Sequence, residues 1–198
     1  MTKSVQDFYK YSRKTLSLLV AMIMFFLAFS CQKSPTISSF QNEEDDRLIA
    51  DFIATHALSP SGEIVAGGQT GSIPLSDTVT RVGEIHIVHL KQGTGVTPST
   101  KDRVDVTYRG YFLHNLNLFE EKREIEKVWL SGAIEGIQKA LAAMKTPSDS
   151  DNAASKAWII IPSRLGWGAD EMTSPVVPAN TSLLYYMELH SISTIDNK

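Results

Sequence analysis

Few side chains in this sequence are spaced for covalent or metal chemistry, and that narrows what the chain can do. His86 and His89 sit three apart in a stretch that reads as a strand, so they point to opposite faces and cannot share a metal ion. Asp149-Ser150-Asp151-Asn152 hints at a calcium loop but lacks the glycine and the closing glutamate, and reads as solvated loop. Gly67-Gly68-Gln69-Thr70-Gly71-Ser72 is not followed by the Gly-Lys-Ser/Thr of a phosphate cradle. No Ser-His-Asp or Cys-His arrangement is apparent, and the single cysteine, Cys31, lies at the end of an apolar run. What remains is a constellation of rings and branched aliphatics. Residues 159–168 (Ile-Ile-Ile-Pro-Ser-Arg-Leu-Gly-Trp-Gly) run an apolar strand into a proline and then a glycine-flanked indole; Pro175-Val176-Val177-Pro178 follows. Such a segment predicts a rigid loop that holds one aromatic ring and two aliphatics over a dry cavity. The chemistry open to it is the binding of an apolar group by shape and a few donors.

The elements that must position this loop can be read from periodicity. Residues 84–90 read as a strand, and 91–98 as a turn-rich break. Val104, Val106 and Tyr108 alternate with Asp105, Thr107 and Arg109, the pattern of a half-buried strand. A helix is expected over 133–144, with Ile134, Ile137, Leu141 and Met144 on one side, followed by a polar loop over 147–155. Residues 158–161 and 182–192 read as two more strands, the last placing Leu183, Tyr185, Met187 and Leu189 on one face. The fold class is therefore α+β, a predominantly antiparallel sheet wrapped around one short helix. Ahead of it, Leu48, Ile49, Phe52 and Ile53 recur at helical spacing within 42–58. Acids crowd what would be that helix's first turn, where they complement its dipole. Residues 59–80 read as a long loop.

The order strand, Gly-Thr-Gly turn, Val-Asp-Val-Thr-Tyr-Arg-Gly, Phe-acid, glycine-containing helix, Ile-Pro loop and final strand resembles the FKBP-type peptidyl-prolyl cis–trans isomerases over residues 83–192. The resemblance implies an FKBP-like fold and a proline pocket. Tyr108 matches a pocket-wall tyrosine, and Phe119-Glu120 matches a Phe-Asp pair of pocket lining and rim. Ala133-Ile134 matches a Val-Ile pair whose second residue offers its backbone N–H to a bound carbonyl. Trp167 stands for a rim tyrosine, Val177 for the aliphatic before Pro178, and Tyr185 for a phenylalanine of the last strand. Ile137 falls where the family has a tryptophan floor, which implies a roomier pocket. The connection over 145–156 is longer than the family's. The catalytic set implied is Tyr108, Phe119, Glu120, Ile134, Trp167, Val177 and Tyr185, with Ala133, Ile137 and Pro178 touching substrate. No cofactor and no metal are implied. The implied partners are proline-containing polypeptide clients and a macrolide ligand. From the residues alone, aromatics on an apolar strand face are more often plain core. A rival reading is thus a non-catalytic binding or scaffold module on the same fold, its pocket degraded at Ile137.

The N-terminus sets the expected location. Lys3, Lys10, Arg13 and Lys14 precede an uncharged apolar run over 16–29, the pattern of an export signal and short for a membrane span. Cys31 follows it directly and resembles the lipidated first residue of a mature bacterial lipoprotein. Ordinary cleavage at Ala28-Phe29-Ser30 is the alternative, since it satisfies the small-x-small rule. The expected organisation is a signal peptide over 1–30, then a tether, short helix and loop over 31–82. An isomerase-like domain over 83–198 completes it, anchored at the cell envelope through lipid rather than through a spanning helix. Such a signal and helix ahead of the domain also resemble the gliding-motility-associated FKBP lipoproteins, although no residue here carries a motility signal. One cysteine allows no internal disulfide, so the core must supply the stability. A formal net charge of −3 offers no basic stripe, and nucleic acid is not an expected partner.

Overall fold

The computed structural model describes residues 37–148 and 153–193. Cys31 and the acidic stretch 149–152 lie outside the described residues. The chain opens with helix α1 (Ile37–Thr55). Three short strands follow, β1 (His56–Leu58), β2 (Ile64–Ala66) and β3 (Ile73–Pro74), then a helical turn α2 (Leu75–Thr78). Next come β4 (Thr80–Val82), β5 (Ile85–Lys91), β6 (Arg103–Phe112) and β7 (Leu118–Trp129). A 3-10 turn (Leu130–Gly132) leads into helix α3 (Glu135–Leu141) and then strand β8 (Ser155–Ile161). A second 3-10 turn (Ser163–Leu165), the two-residue strands β9 (Met172–Thr173) and β10 (Val176–Val177), and β11 (Leu183–Ser193) complete the order.

The main sheet has six strands in the order β4-β5-β8-β11-β6-β7, every neighbouring pair antiparallel. This is the expected α+β arrangement. Its central strand explains its own sequence. Ala157, Ile159 and Ile161 of β8 join the core under α3, while Trp158 and Ile160 join a second core under α1. A strand covered on both faces reads as a continuous apolar run rather than an alternation. The alternation expected in β6 and β11 is present. Val104, Val106, Tyr185, Met187 and Leu189 share the α3 side with Tyr108, and Leu184 and Tyr186 turn to the other. α3 approaches β8 closely because Gly136 has no side chain. A Cβ there would fall 2.4 Å from Ile161 Cγ2.

Several expectations are corrected. The first helix begins at Ile37 and ends at Thr55, earlier at both ends than the 42–58 reading. Its acids therefore do not sit in the first turn, and the dipole argument does not apply to them. His56–Leu58 leave the helix because β1 pairs with both β2 and β3. The Gly67 amide takes up the Thr55 carbonyl at 2.8 Å. The segment 59–80 is thus a three-stranded sheet with a helical turn rather than a loop. α3 is shorter than the expected 133–144, because Ile134 caps it in an extended conformation (φ −58°, ψ 149°). The twelve-residue edge strand β7 has no counterpart in the sequence reading. Most of its residues are exposed or half-buried, so no apolar period marks it.

Candidate functional site

The concave face of the sheet and α3 enclose a cavity of about 290 Å³. Tyr108, Glu120, Ala133, Ile134, Ile137, Trp167 and Tyr185 all line it. These come from β6, β7, the entrance of α3, the loop after β8 and β11, so the fold gathers residues that lie far apart in sequence. Val106, Val128, Gly132, Leu141, Met172, Pro175 and Met187 complete the wall.

Aromatic packing fixes the shape. Phe119 is not on the cavity surface but stands behind it. Its ring meets Trp167 edge-on at 6.1 Å and Tyr185 edge-on at 5.8 Å, and it stacks on Phe112 at 4.9 Å. Edge-to-face pairs of this kind hold a ring at a set angle. Gly110 makes room for them. A Cβ at 110 would fall 2.7 Å from Phe119 Cζ and 2.9 Å from Tyr185 Cε1, so the Val-Thr-Tyr-Arg-Gly segment ends in glycine because two rings lie over it.

The polar groups are few. The Tyr108 hydroxyl donates to Glu120 Oε1 at 3.0 Å. Burial pushes the Tyr108 phenol well above its ordinary range, and the Glu120 charge and hydrogen bond add to the effect. It therefore stays protonated and remains a donor at neutral pH. Tyr185 is 4% exposed, and burial pushes its phenol higher still, helped by the charge of Glu120 and by Tyr108. Among the described residues it has no hydrogen-bond partner, although it lines the cavity. Among the described residues the Ile134 N–H donates to no backbone carbonyl, while the Ile134 carbonyl accepts the first helical bonds from Ile137 and Gln138. The Ala133 carbonyl is occupied by Gln138 Nε2 at 2.7 Å. Ile134 N–H and the Tyr185 hydroxyl are thus available donors beside an apolar cavity.

The indole of Trp167 reaches the cavity from a tightly wound loop. The Ser163 carbonyl accepts from Gly166 N at 2.9 Å and from Gly168 N at 2.8 Å, which closes the chain on either side of Trp167. Gly168 has φ +62°, a left-handed conformation that glycine adopts without strain. Two expected residues lie elsewhere. Val177 is buried in the core beside the cavity rather than on its surface, and Pro178 is exposed and off it. The short hairpin β9–β10 pairs Val177 with Met172, and in this register Met172 and Pro175 face the cavity instead. The sequence carried a signal for Pro175, the first proline of the same loop, but its match to the family pattern pointed to the second. Ile137 lines the floor as expected, and at 7% exposed it is also core. Among the described residues no three His, Cys, Asp or Glu side chains are placed to hold a metal ion.

Residues 95–190 match the family model of the FKBP-type peptidyl-prolyl cis-trans isomerases. Among solved structures, a peptidyl-prolyl cis-trans isomerase from Pseudomonas syringae pv. tomato is similar over 82% of this chain and all of its own. The TM-score is 0.58 and the identity 21%. FkpA from Escherichia coli is similar over 96% of this chain and 78% of its own, with a TM-score of 0.53 and 18% identity. At these identities the two structures establish the shared fold. No curated protein matches the sequence.

Proposed function

We propose that this chain, whose residues 95–190 match the family model of the FKBP-type peptidyl-prolyl cis-trans isomerases, catalyses rotation about X–Pro bonds in exported or envelope proteins. The observation that carries the reading is the apolar cavity of about 290 Å³ lined by Tyr108, Ile134, Trp167 and Tyr185, with free donors at its edge. Rotation about an X–Pro bond faces a barrier of about 18–20 kcal/mol, because amide resonance must be broken. No nucleophile or proton transfer is needed to lower it. The planar amide carries more charge separation than the twisted one, so a dry wall of Val106, Ile137, Leu141 and Met187 favours the twisted state over the planar. Ile134 N–H, placed at the α3 entrance, would hold a flanking carbonyl. The Trp167 indole N–H and the Tyr185 hydroxyl are the two further donors. Oriented donors of this kind act on the transition state when their geometry is set beforehand. Glu120, held by Tyr108, marks the rim where the client backbone enters.

The same reading places the protein at the cell envelope, lipid-anchored through Cys31 as in the lipoprotein form of the family. Support comes from the basic segment and apolar run that precede this cysteine. Among the described residues no helix is long and apolar enough to cross a membrane. Replacing Cys31 by Ser is expected to release the protein into the soluble envelope fraction. A wild-type protein that is already soluble, with an unmodified N-terminus by mass spectrometry, would refute the anchor and favour cleavage at Ala28–Ser30.

Catalysis is tested by a proline-isomerisation assay on the full chain in detergent, with and without a macrolide ligand. Turnover that the macrolide inhibits is the expected result. Macrolide binding without turnover would instead favour a non-catalytic binding module, a reading that the aliphatic floor at Ile137 supports.

A further inference from the structure

The five acids in α1 do not all face water. Asp45 is 3% exposed, and both its carboxylate oxygens are used. Oδ2 accepts from the Ser163 amide at 2.9 Å and from the Ser163 hydroxyl at 2.6 Å, while Oδ1 accepts from the Ser182 hydroxyl at 3.0 Å and from Gln41 Nε2 of the same helix at 3.4 Å. Arg164 Nη1 stands 3.9 Å from Oδ2, and the same guanidinium pairs with Asp46 at 2.8 Å and with Glu84. A buried carboxylate is costly unless its lone pairs are filled. Here Oδ2 is filled by one residue of the pocket loop. Ser163 is also the residue whose carbonyl ties Gly166 and Gly168 on either side of Trp167.

We propose that Asp45 is a positioning residue for the pocket, holding Ser163 so that the loop presents Trp167 over the cavity. The proposal rests on reading that cavity as the proline site. It makes α1, which precedes the family match by some fifty residues, part of the machinery. The connection is short and continuous. Asp45 fixes both donors of Ser163, the Ser163 carbonyl fixes the amides flanking Trp167, and the Trp167 ring is set edge-on to Phe119. A loop closed by two bonds to one carbonyl swings as a unit when that residue is released. A displaced donor costs turnover out of proportion to its distance.

The test compares Asp45→Ala, Asp45→Asn and Phe52→Ala in the full chain. Phe52 lies on the same helix but packs in the core under α1, away from the loop, and so serves as a control for loss of stability alone. Three readouts are followed: hydrogen exchange at the Ser163 amide, the NMR signal of the Trp167 indole N–H, and kcat/KM for an X–Pro peptide. In Asp45→Ala, exchange at Ser163 should rise, the indole signal should shift or broaden, and kcat/KM should fall about tenfold. Asn keeps one carbonyl oxygen for Ser163, and the Ser182 hydroxyl can accept from its NH2. Asp45→Asn should therefore restore all three most of the way to wild type. Phe52→Ala should leave the indole signal in place. An unchanged indole signal in Asp45→Ala, or an equal change in Phe52→Ala, overturns the proposal. Should Asp45→Ala fail to fold, Ser163→Ala removes only the hydroxyl bond and should move the same readouts by less; no movement would be equally fatal. A wild type without turnover would refute the isomerase reading instead, and the exchange and indole readouts would still decide the role of Asp45.

Discussion

The two faces of the six-stranded sheet are built from the same strands but to different standards. Under α1, Ile49, Phe52, Leu75, Val88, Leu113, Trp158, Ile160 and Leu184 fill the space, and the Trp158 indole N–H is satisfied by the Gly62 carbonyl at 2.8 Å. Asp45, the one buried carboxylate there, has its oxygens occupied. Under α3 the packing leaves a cavity, with a phenol and a backbone amide at its edge that have no hydrogen-bond partner among the described residues. Side chains pack to few voids in an ordinary interior, and buried polar groups are paired. A face that leaves an apolar cavity with donors at its edge, where its twin is filled, is where function is to be sought. The well-packed face then supplies the rigidity that lets the other stay open.

The largest effect should come from crossing the two faces. Phe52→Ala empties part of the filled face and should cost about 3–5 kcal/mol, a fall in Tm of roughly 10 °C for a domain of this size. Activity per folded molecule should be nearly unchanged. Trp167→Ala should do the reverse. It should remove most of the turnover, about tenfold or more for the loss of a donor and a cavity wall, while Tm stays within a few degrees. Trp167→Phe, which keeps a ring and deletes the donor, should fall between, with a loss of up to about tenfold. Thermal melts and a peptide assay on the same samples decide it. If Trp167→Ala melts as early as Phe52→Ala, the cavity is ordinary core and the contrast between the faces is false.

How much of this contrast the sequence showed depends on the residue. β6, β8 and β11 were legible because each has a face buried against helix or sheet, which imposes period two or, in β8, an unbroken run. Tyr108, Ile134, Ile137, Trp167 and Tyr185, singled out because short motifs carry them at fixed distances from strand ends, line one cavity. β7 was invisible, since an edge strand such as Leu118–Trp129 is bound by backbone pairing to β6 alone, and its exposed side chains mix charged residues with Leu118, Ile125 and Trp129 in no apolar period. Asp45 was misread for a related reason. An acid early in a helix has an obvious local explanation in the dipole, and its actual partners, Ser163 and Ser182, lie more than a hundred residues away. Local patterns cannot report a bond of that kind. The exchange of Pro178 for Pro175 turned on the register of a two-residue hairpin, which no pattern of that length specifies.

A change at the floor of the open face should have an intermediate effect. Ile137→Trp adds a ring to a residue that already lines the cavity. If the space can take it, proline is held against a larger flat surface, and both KM and the macrolide dissociation constant should fall severalfold. If it cannot, the variant should lose about 1–3 kcal/mol through overpacking with no gain in binding. The two outcomes separate by measuring ligand affinity and Tm together. The second would mean that the floor is sealed core and that the usable pocket lies nearer Trp167.

The smallest expected effect is a pH dependence of stability carried by the two histidines of β5, His86 on the α1 side and His89 on the α3 side. His86, on β5, has a buried Nδ1 with no partner among the described residues. Burial holds its pKa below the ordinary histidine value, Arg81 lowers it further, and Asp46 of α1 works against both. His89 is lowered as well, chiefly by burial, with a hydrogen bond to Gln92 opposing. The sign follows from linkage. Below the ordinary histidine pKa of about 6.5, the unfolded chain takes up protons that the folded chain still refuses, so stability falls as pH falls through that value. Both side chains are partly open to solvent, which keeps the effect small. Tm should therefore drop slightly between pH 7.5 and 5.5, and His86→Gln with His89→Gln should flatten the profile. Tyr108 and Tyr185 titrate far above this range, so turnover per folded molecule should stay level across it. A turnover that falls with pH while Tm holds steady would instead tie a titrating group to catalysis.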